Sequence, residues 1–83
     1  MPDKPLRYTR HARNRMRWRR LSTDEIAECI GEPEGKEKRP SGRMNCWKLV
    51  RGQWLRAVYV EEGDVIIVVT VIYPARGPKG RPT

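Results

Sequence analysis

Ten consecutive residues, Asp64 to Tyr73, read DVIIVVTVIY, and seven of them are Val or Ile. β-Branched side chains pack well on a pleated surface, so the run is a strand. Alternation puts Val65, Ile67, Val69 and Val71 on one face and Ile66, Val68, Thr70 and Ile72 on the other. A strand apolar on both sides is ordinarily covered on both sides. The rest of the chain must supply that cover, and at 83 residues it is a single domain with a small core. A layer of helices covers one face only. The strand is therefore expected to lie centrally, or a second copy of the protein covers its other face as a homodimer.

The elements before it fall into two periods. Tyr8, Ala12 and Met16 recur every four residues, which predicts a helix from Thr9, a plausible N-cap, to about Arg20. Ser22 and Glu25 form an S-x-x-E capping box, Ile26, Cys29 and Ile30 make an apolar face, and Gly31 and Pro33 stop it, so a second helix is expected at about 23–31. Residues 32–43 hold no large apolar side chain and read as a loop, with room for a short edge strand at 36–39. The period then drops to two. Strands are expected at 44–51, 53–61 and 64–73, with Arg51-Gly52 and Glu62-Gly63 as tight hairpin turns. The expected fold class is α+β: two N-terminal helices packed on a three- to four-stranded antiparallel meander sheet. The domain covers 1–75, and 76–83, RGPKGRPT, with no large apolar residue, is read as a disordered basic tail.

The formal charge is +8, from 18 Lys and Arg against 10 Asp and Glu. It sits at the two ends. Residues 1–20 hold eight basic groups against Asp3, residues 21–73 hold seven against nine acids, and residues 74–83 hold three with no acid. Arg10, Arg13, Arg15, Arg17, Arg19 and Arg20 crowd the first helix, with Arg7 just before it. Like charges three or four residues apart on a helix cost about 0.2–0.5 kcal/mol per pair. Glu25, Glu28 and Glu32 on the next helix are one source of relief, and an external phosphate polyanion is the other, because guanidinium binds phosphate bidentately and stacks on bases.

Other classes fall away. No apolar run is long enough to span a membrane. The first ten residues are charged and lack an apolar stretch, so no secretory signal is read there, and Cys29 and Cys46 are expected to be reduced thiols of a cytoplasmic protein. One histidine and two cysteines do not make a zinc site, Walker-type phosphate loops are absent, and neither metal nor cofactor is expected.

His11, Arg15 and Trp18 stand at i, i+4 and i+7, so they share one helix face, beside the apolar stripe and expected to look into a cleft between helix and sheet. An imidazole there is either bonded to a backbone carbonyl or free to move protons near neutral pH. Arg56 shares its strand face with Trp54, Val58 and Val60, opposite Leu55, Ala57 and Tyr59. Trp47, Trp54, Tyr59 and Tyr73 are either core or stacking platforms for bases.

Tyr8-Thr9-x-His11-Ala12-x-x-Arg15-Met16, then Leu21-Ser22, then Trp54-Leu55-x-Ala57-Val58-Tyr59 and Val69-Thr70-Val71-Ile72-Tyr73 resemble the domain of unknown function 4258, over about residues 6–75. The run from Arg15 to Arg20 is denser in arginine than that family leads one to expect. The family is in turn similar in layout to the BrnT and RelE-type toxins, small basic ribonucleases with helices packed on an antiparallel sheet. The resemblance implies metal-independent RNA cleavage, in which the 2′-hydroxyl attacks the adjacent phosphate and leaves a cyclic phosphate. It implies His11 as base or acid and Arg15 as phosphate ligand. Arg56 as a second phosphate ligand and Tyr73 as a second proton-transfer group rest on their placement in the sheet.

Three functions remain open at this point. One is a toxin-type endoribonuclease using His11, Arg15, Arg56 and Tyr73. Another is a non-catalytic nucleic-acid-binding module, RNA ahead of DNA, that uses Arg7, Arg10, Arg13, Arg17, Trp18, Arg19 and Arg20. The third is an interaction protein whose basic ends meet an acidic partner such as an antitoxin.

Overall fold

The computed structural model describes residues 3–78. Its elements are β1 (Leu6–Tyr8), α1 (Arg10–Arg19), α2 (Thr23–Gly31), β2 (Gly35–Lys38), β3 (Met44–Val50), β4 (Gln53–Glu62) and β5 (Val65–Ala75). The class is α+β. The sheet has five strands in the order β1-β5-β4-β3-β2 and is mixed, because β1 pairs parallel with β5 while the other pairs are antiparallel. This corrects the expected three- to four-stranded antiparallel meander preceded only by helices. Leu6 to Tyr8 is too short to show a period, and its partner is some sixty residues away, so no local signal marks it as a strand. Tyr8 belongs to this strand and packs beside the core; it is not the first rung of the helical stripe.

The remaining elements form where the sequence places them. Ser22 accepts a hydrogen bond from the Glu25 N–H, and the Glu25 carboxylate accepts from the Ser22 N–H, completing the capping box of α2. Arg51 and Gly52 both take positive φ, as a two-residue hairpin of the primed type requires. The short edge strand sits one residue earlier than expected, at 35–38.

Both helices pack on one face of the sheet. Ala12 and Met16 of α1 and Ile26, Cys29 and Ile30 of α2 meet Cys46, Leu55, Ala57, Tyr59, Ile66, Val68 and Val71. β5 is an interior strand between β1 and β4, as its apolar pattern demands, but its faces do not follow strict alternation. Val58 pairs with Thr70 and Tyr59 with Val68, so Val69 is an extra residue with no partner on β4. The bulge moves Val71 onto the helix face with Ile66 and Val68, and leaves Ile67, Thr70 and Ile72 on the far face.

Of the expected tail, residues 79–83 lie outside the described residues. Gly77 and Pro78, within the described residues, lie against the sheet. A Cβ built on Gly77 would come within 2.6 Å of the Trp54 indole nitrogen, and Pro78 is buried with its ring 2.5 Å from where a Cβ on Gly35 would stand. The backbone approaches that closely because both sites are glycine.

α1 is weakly anchored. Met16 is its one large buried side chain, worth about 2 kcal/mol, and the arginine pairs offset about 1 kcal/mol of that. Thr9 compensates: its hydroxyl accepts from the Ala12 N–H at 3.0 Å and donates to the Val69 carbonyl at 2.7 Å. Thr9→Ala is expected to lower stability by about 1–2 kcal/mol, a melting temperature lower by about 5–15 °C, measured by circular dichroism. Thr9→Ser, which keeps both bonds, should recover most of the loss.

Candidate functional site

α1 turns Ala12 and Met16 inward and leaves the rest of its surface to solvent. One flank holds a hollow of about 260 Å³ lined by His11, Asn14, Arg15, Trp18 and Arg19. All five come from α1 itself. The expected cleft between helix and sheet is absent at this place: His11 and Arg15 are exposed on the outer flank of the helix, while Ala12, in its first turn, is fully buried where α1 packs on β5 and leaves no gap. Trp18 is 85% exposed, whereas Trp47 and Trp54 are buried. Asn14 is the one lining residue that the sequence reading passed over. Its position, three after His11 and four before Trp18, places it on that same flank.

Arg10, Arg13 and Arg17 take the other flank at helical spacing. The Arg13 guanidinium lies 5.9 Å from the centroid of the Tyr8 ring. Arg20 closes the helix in a left-handed conformation, φ 55°, with its N–H on the Arg17 carbonyl while Leu21 donates to Met16. Glycine is the cheaper residue there, and an arginine stands instead. Arg7 is exposed but sits on β1 opposite Ile67, on the side of the sheet away from the helices.

The carboxylates of α2 do not relieve this helix. Among the described residues the ion pairs are Lys4–Glu61, Arg39–Glu37 and Arg51–Glu25, and none involves an arginine of 7–20. Asp24, Glu28 and Glu32 stay exposed along α2, around a separate surface hollow. The molecule thus carries a basic helix and an acidic helix on one side.

Arg56 and Tyr73 do not join His11 and Arg15. Arg56 lies across from Trp47 and Ile72, on the sheet face opposite the helices. Its Nε is sealed from water and has no hydrogen-bond partner among the described residues, a state that costs about 1–3 kcal/mol or more for a charged group. Tyr73 faces the helix side because the bulge at Val69 reverses the alternation of β5; it donates its phenol to the Val50 carbonyl at 3.1 Å and has the Arg51 guanidinium 5.8 Å from its ring centroid. The four residues occupy three separate surfaces.

Among the described residues no three His, Cys, Asp or Glu side chains stand together as metal ligands. Among the described residues no helix is long and apolar enough to cross a membrane.

The family model for the Domain of unknown function (DUF4258) matches residues 8–73. No curated protein and no solved structure matches the chain.

The two free thiols lie in the core, outside any hollow on α1. Cys29 faces the Cys46 and Leu55 carbonyls at 3.7 and 3.8 Å. Burial pushes it from the usual 9.0 up to about 12 and raises Cys46 as well. The Tyr59 phenol beside them is raised too, again chiefly by burial. All three stay neutral when folded and ionise more readily when unfolded. The stability they contribute is complete below pH 9.0 and is lost as pH climbs toward about 12. Melting temperature should therefore fall steadily over that window. At mildly alkaline pH a thiol-specific disulfide reagent should leave both cysteines unmodified until denaturant is added; rapid labelling of the native chain would contradict their burial.

Proposed function

We propose that this chain, which belongs to the domain of unknown function family DUF4258, is a small basic RNA-interacting protein that docks RNA along the outer surface of α1. One observation carries the reading. The arginines of α1 stand without a carboxylate partner among the described residues, and an exposed indole stands among them. A solvated basic face needs no indole, whereas a single-stranded nucleic acid uses both groups: guanidinium for phosphate and indole for a base, at about 1–3 kcal/mol per stacked base. Single strands are favoured over duplex because a base must be free to lie on Trp18. The two free thiols fit action in the cytoplasm.

A second reading, a metal-independent ribonuclease of the toxin type, draws on His11 and Arg15 sharing one hollow. His11 would take the 2′-hydroxyl proton while Arg15 holds the phosphate. The remaining lining groups, Asn14, Trp18 and Arg19, offer no second acid or base near neutral pH, and Tyr73 and Arg56 lie elsewhere. Binding is therefore the primary function and cleavage the secondary one. An acidic protein partner such as an antitoxin would use the same arginines and compete with RNA.

The test is a titration of labelled single-stranded RNA in the presence of chelator. With about five phosphates neutralised, affinity should drop by about 100-fold between about 50 and 200 mM salt. Arg15→Ala with Arg19→Ala should weaken binding and make the log–log salt slope shallower by about 1.4. Trp18→Ala should cost about 10-fold or more with little change in slope. No association with RNA at low salt sinks the proposal. RNA cleavage by the parent that vanishes in His11→Ala, with binding retained, would promote the second reading over the first.

A further inference from the structure

The sheet face turned away from the helices is largely apolar, with Arg56 near its middle and Arg7 at its β1 edge. Trp47, Trp54, Val58 and Ile72 neighbour Arg56 on this face, and Val60 and Ile67 continue it along the strands; the Arg56 Nε is shut off from water without a partner among the described residues. α1 and α2 both pack on the opposite face. The chain's own return, Gly77 and Pro78, lies against this face at Trp54 and Gly35. Val60, Ile67 and Ile72 on this face are only half-buried by the described residues.

We infer that a second copy of this chain covers this face, sheet against sheet. An identical face is apolar with the same pleat, so it fits the half-buried Val60, Ile67 and Ile72. It also supplies the acceptor. Glu37 lies on the same face as Arg56, in line with Asn45, Val58 and Thr70. Its contacts within its own chain, to Arg39 and Asn45, are long at 3.4 Å each. A face that carries both a guanidinium whose Nε has no partner among the described residues and a loosely held carboxylate is complementary to itself, and isologous pairing satisfies both twice.

Net charge does not forbid this. The arginines of α1 point away from the interface, and two sheets, hence three layer spacings, separate the two copies' basic helices. At about 10 Å per layer they stand about 30 Å apart, more than three Debye lengths of about 8 Å at physiological salt. Edge-to-edge assembly is disfavoured, since β2 presents Lys36 and Lys38 at one edge and β1 offers only three residues at the other. Face-to-face packing is what remains.

Sedimentation equilibrium of the full chain at physiological salt, without RNA, tests this independently of the reading of α1. A dimer is expected at micromolar concentration. Val60→Asp should raise its dissociation constant at least tenfold with an unchanged circular dichroism spectrum. Glu37→Arg, a half-buried edge position whose replacement leaves the core intact, should weaken the dimer several-fold. Arg56→Glu combined with Glu37→Arg should restore it. A monomer at every concentration overturns the inference. So does a dimer that both Val60→Asp and Glu37→Arg leave at full strength.

Discussion

One threonine hydroxyl joins the two layers of this protein. In a regular strand successive carbonyls point to opposite neighbours. The bulge at Val69 turns two successive carbonyls, those of Val68 and Val69, toward the same side. Thr9 takes both: its N–H donates to Val68 at 3.1 Å and its hydroxyl donates to Val69 at 2.7 Å. The same oxygen then accepts from the first turn of α1. The end of β1, the irregularity in β5 and the start of α1 are thus one hydrogen-bonded unit. A helix with Ala12 and Met16 as its whole buried surface is held in place by that unit as much as by apolar contact.

What could be read from the chain in advance follows the range of the interaction that determines it. α2 is legible because its capping box, dipole-matched acids and apolar face all lie within ten residues. The hairpin at Arg51-Gly52 is legible because positive φ demands a particular residue. β1 is illegible because its stability comes from Ile66, Ile67 and Val68 far along the chain. The bulge is illegible for the same reason, since nothing in VVTVIY marks Val69 as the residue left unpaired. Missing it reverses the side on which Val71 and Tyr73 lie. Strict alternation therefore cannot tell that Arg56 and Tyr73 end on opposite faces.

The candidate site was legible to the extent that it is a single helix. Helical spacing alone brings His11, Arg15 and Trp18 together, and a helical wheel would also have returned Asn14. Whether that flank looks into a groove or into solvent depends on how closely Ala12 seats on β5, which is a tertiary matter. Relief from α2, one of the two alternatives open in the sequence, is absent among the described residues for a tertiary reason. Glu25 is occupied by Arg51 and by its own N-cap, while Asp24, Glu28 and Glu32 face outward. Proximity in sequence between a basic helix and an acidic one does not make them partners.

That separation of charge has a dynamic consequence. With cations along α1 and uncompensated carboxylates along α2, the helical side of the molecule behaves as an electric dipole. A polyanion approaching it feels a torque before it feels contact, and the protein rotates to present α1 and withdraw α2. Orientation is then largely settled during diffusion, which favours rapid capture at low ionic strength and a correspondingly slower encounter once salt shortens the reach of the field.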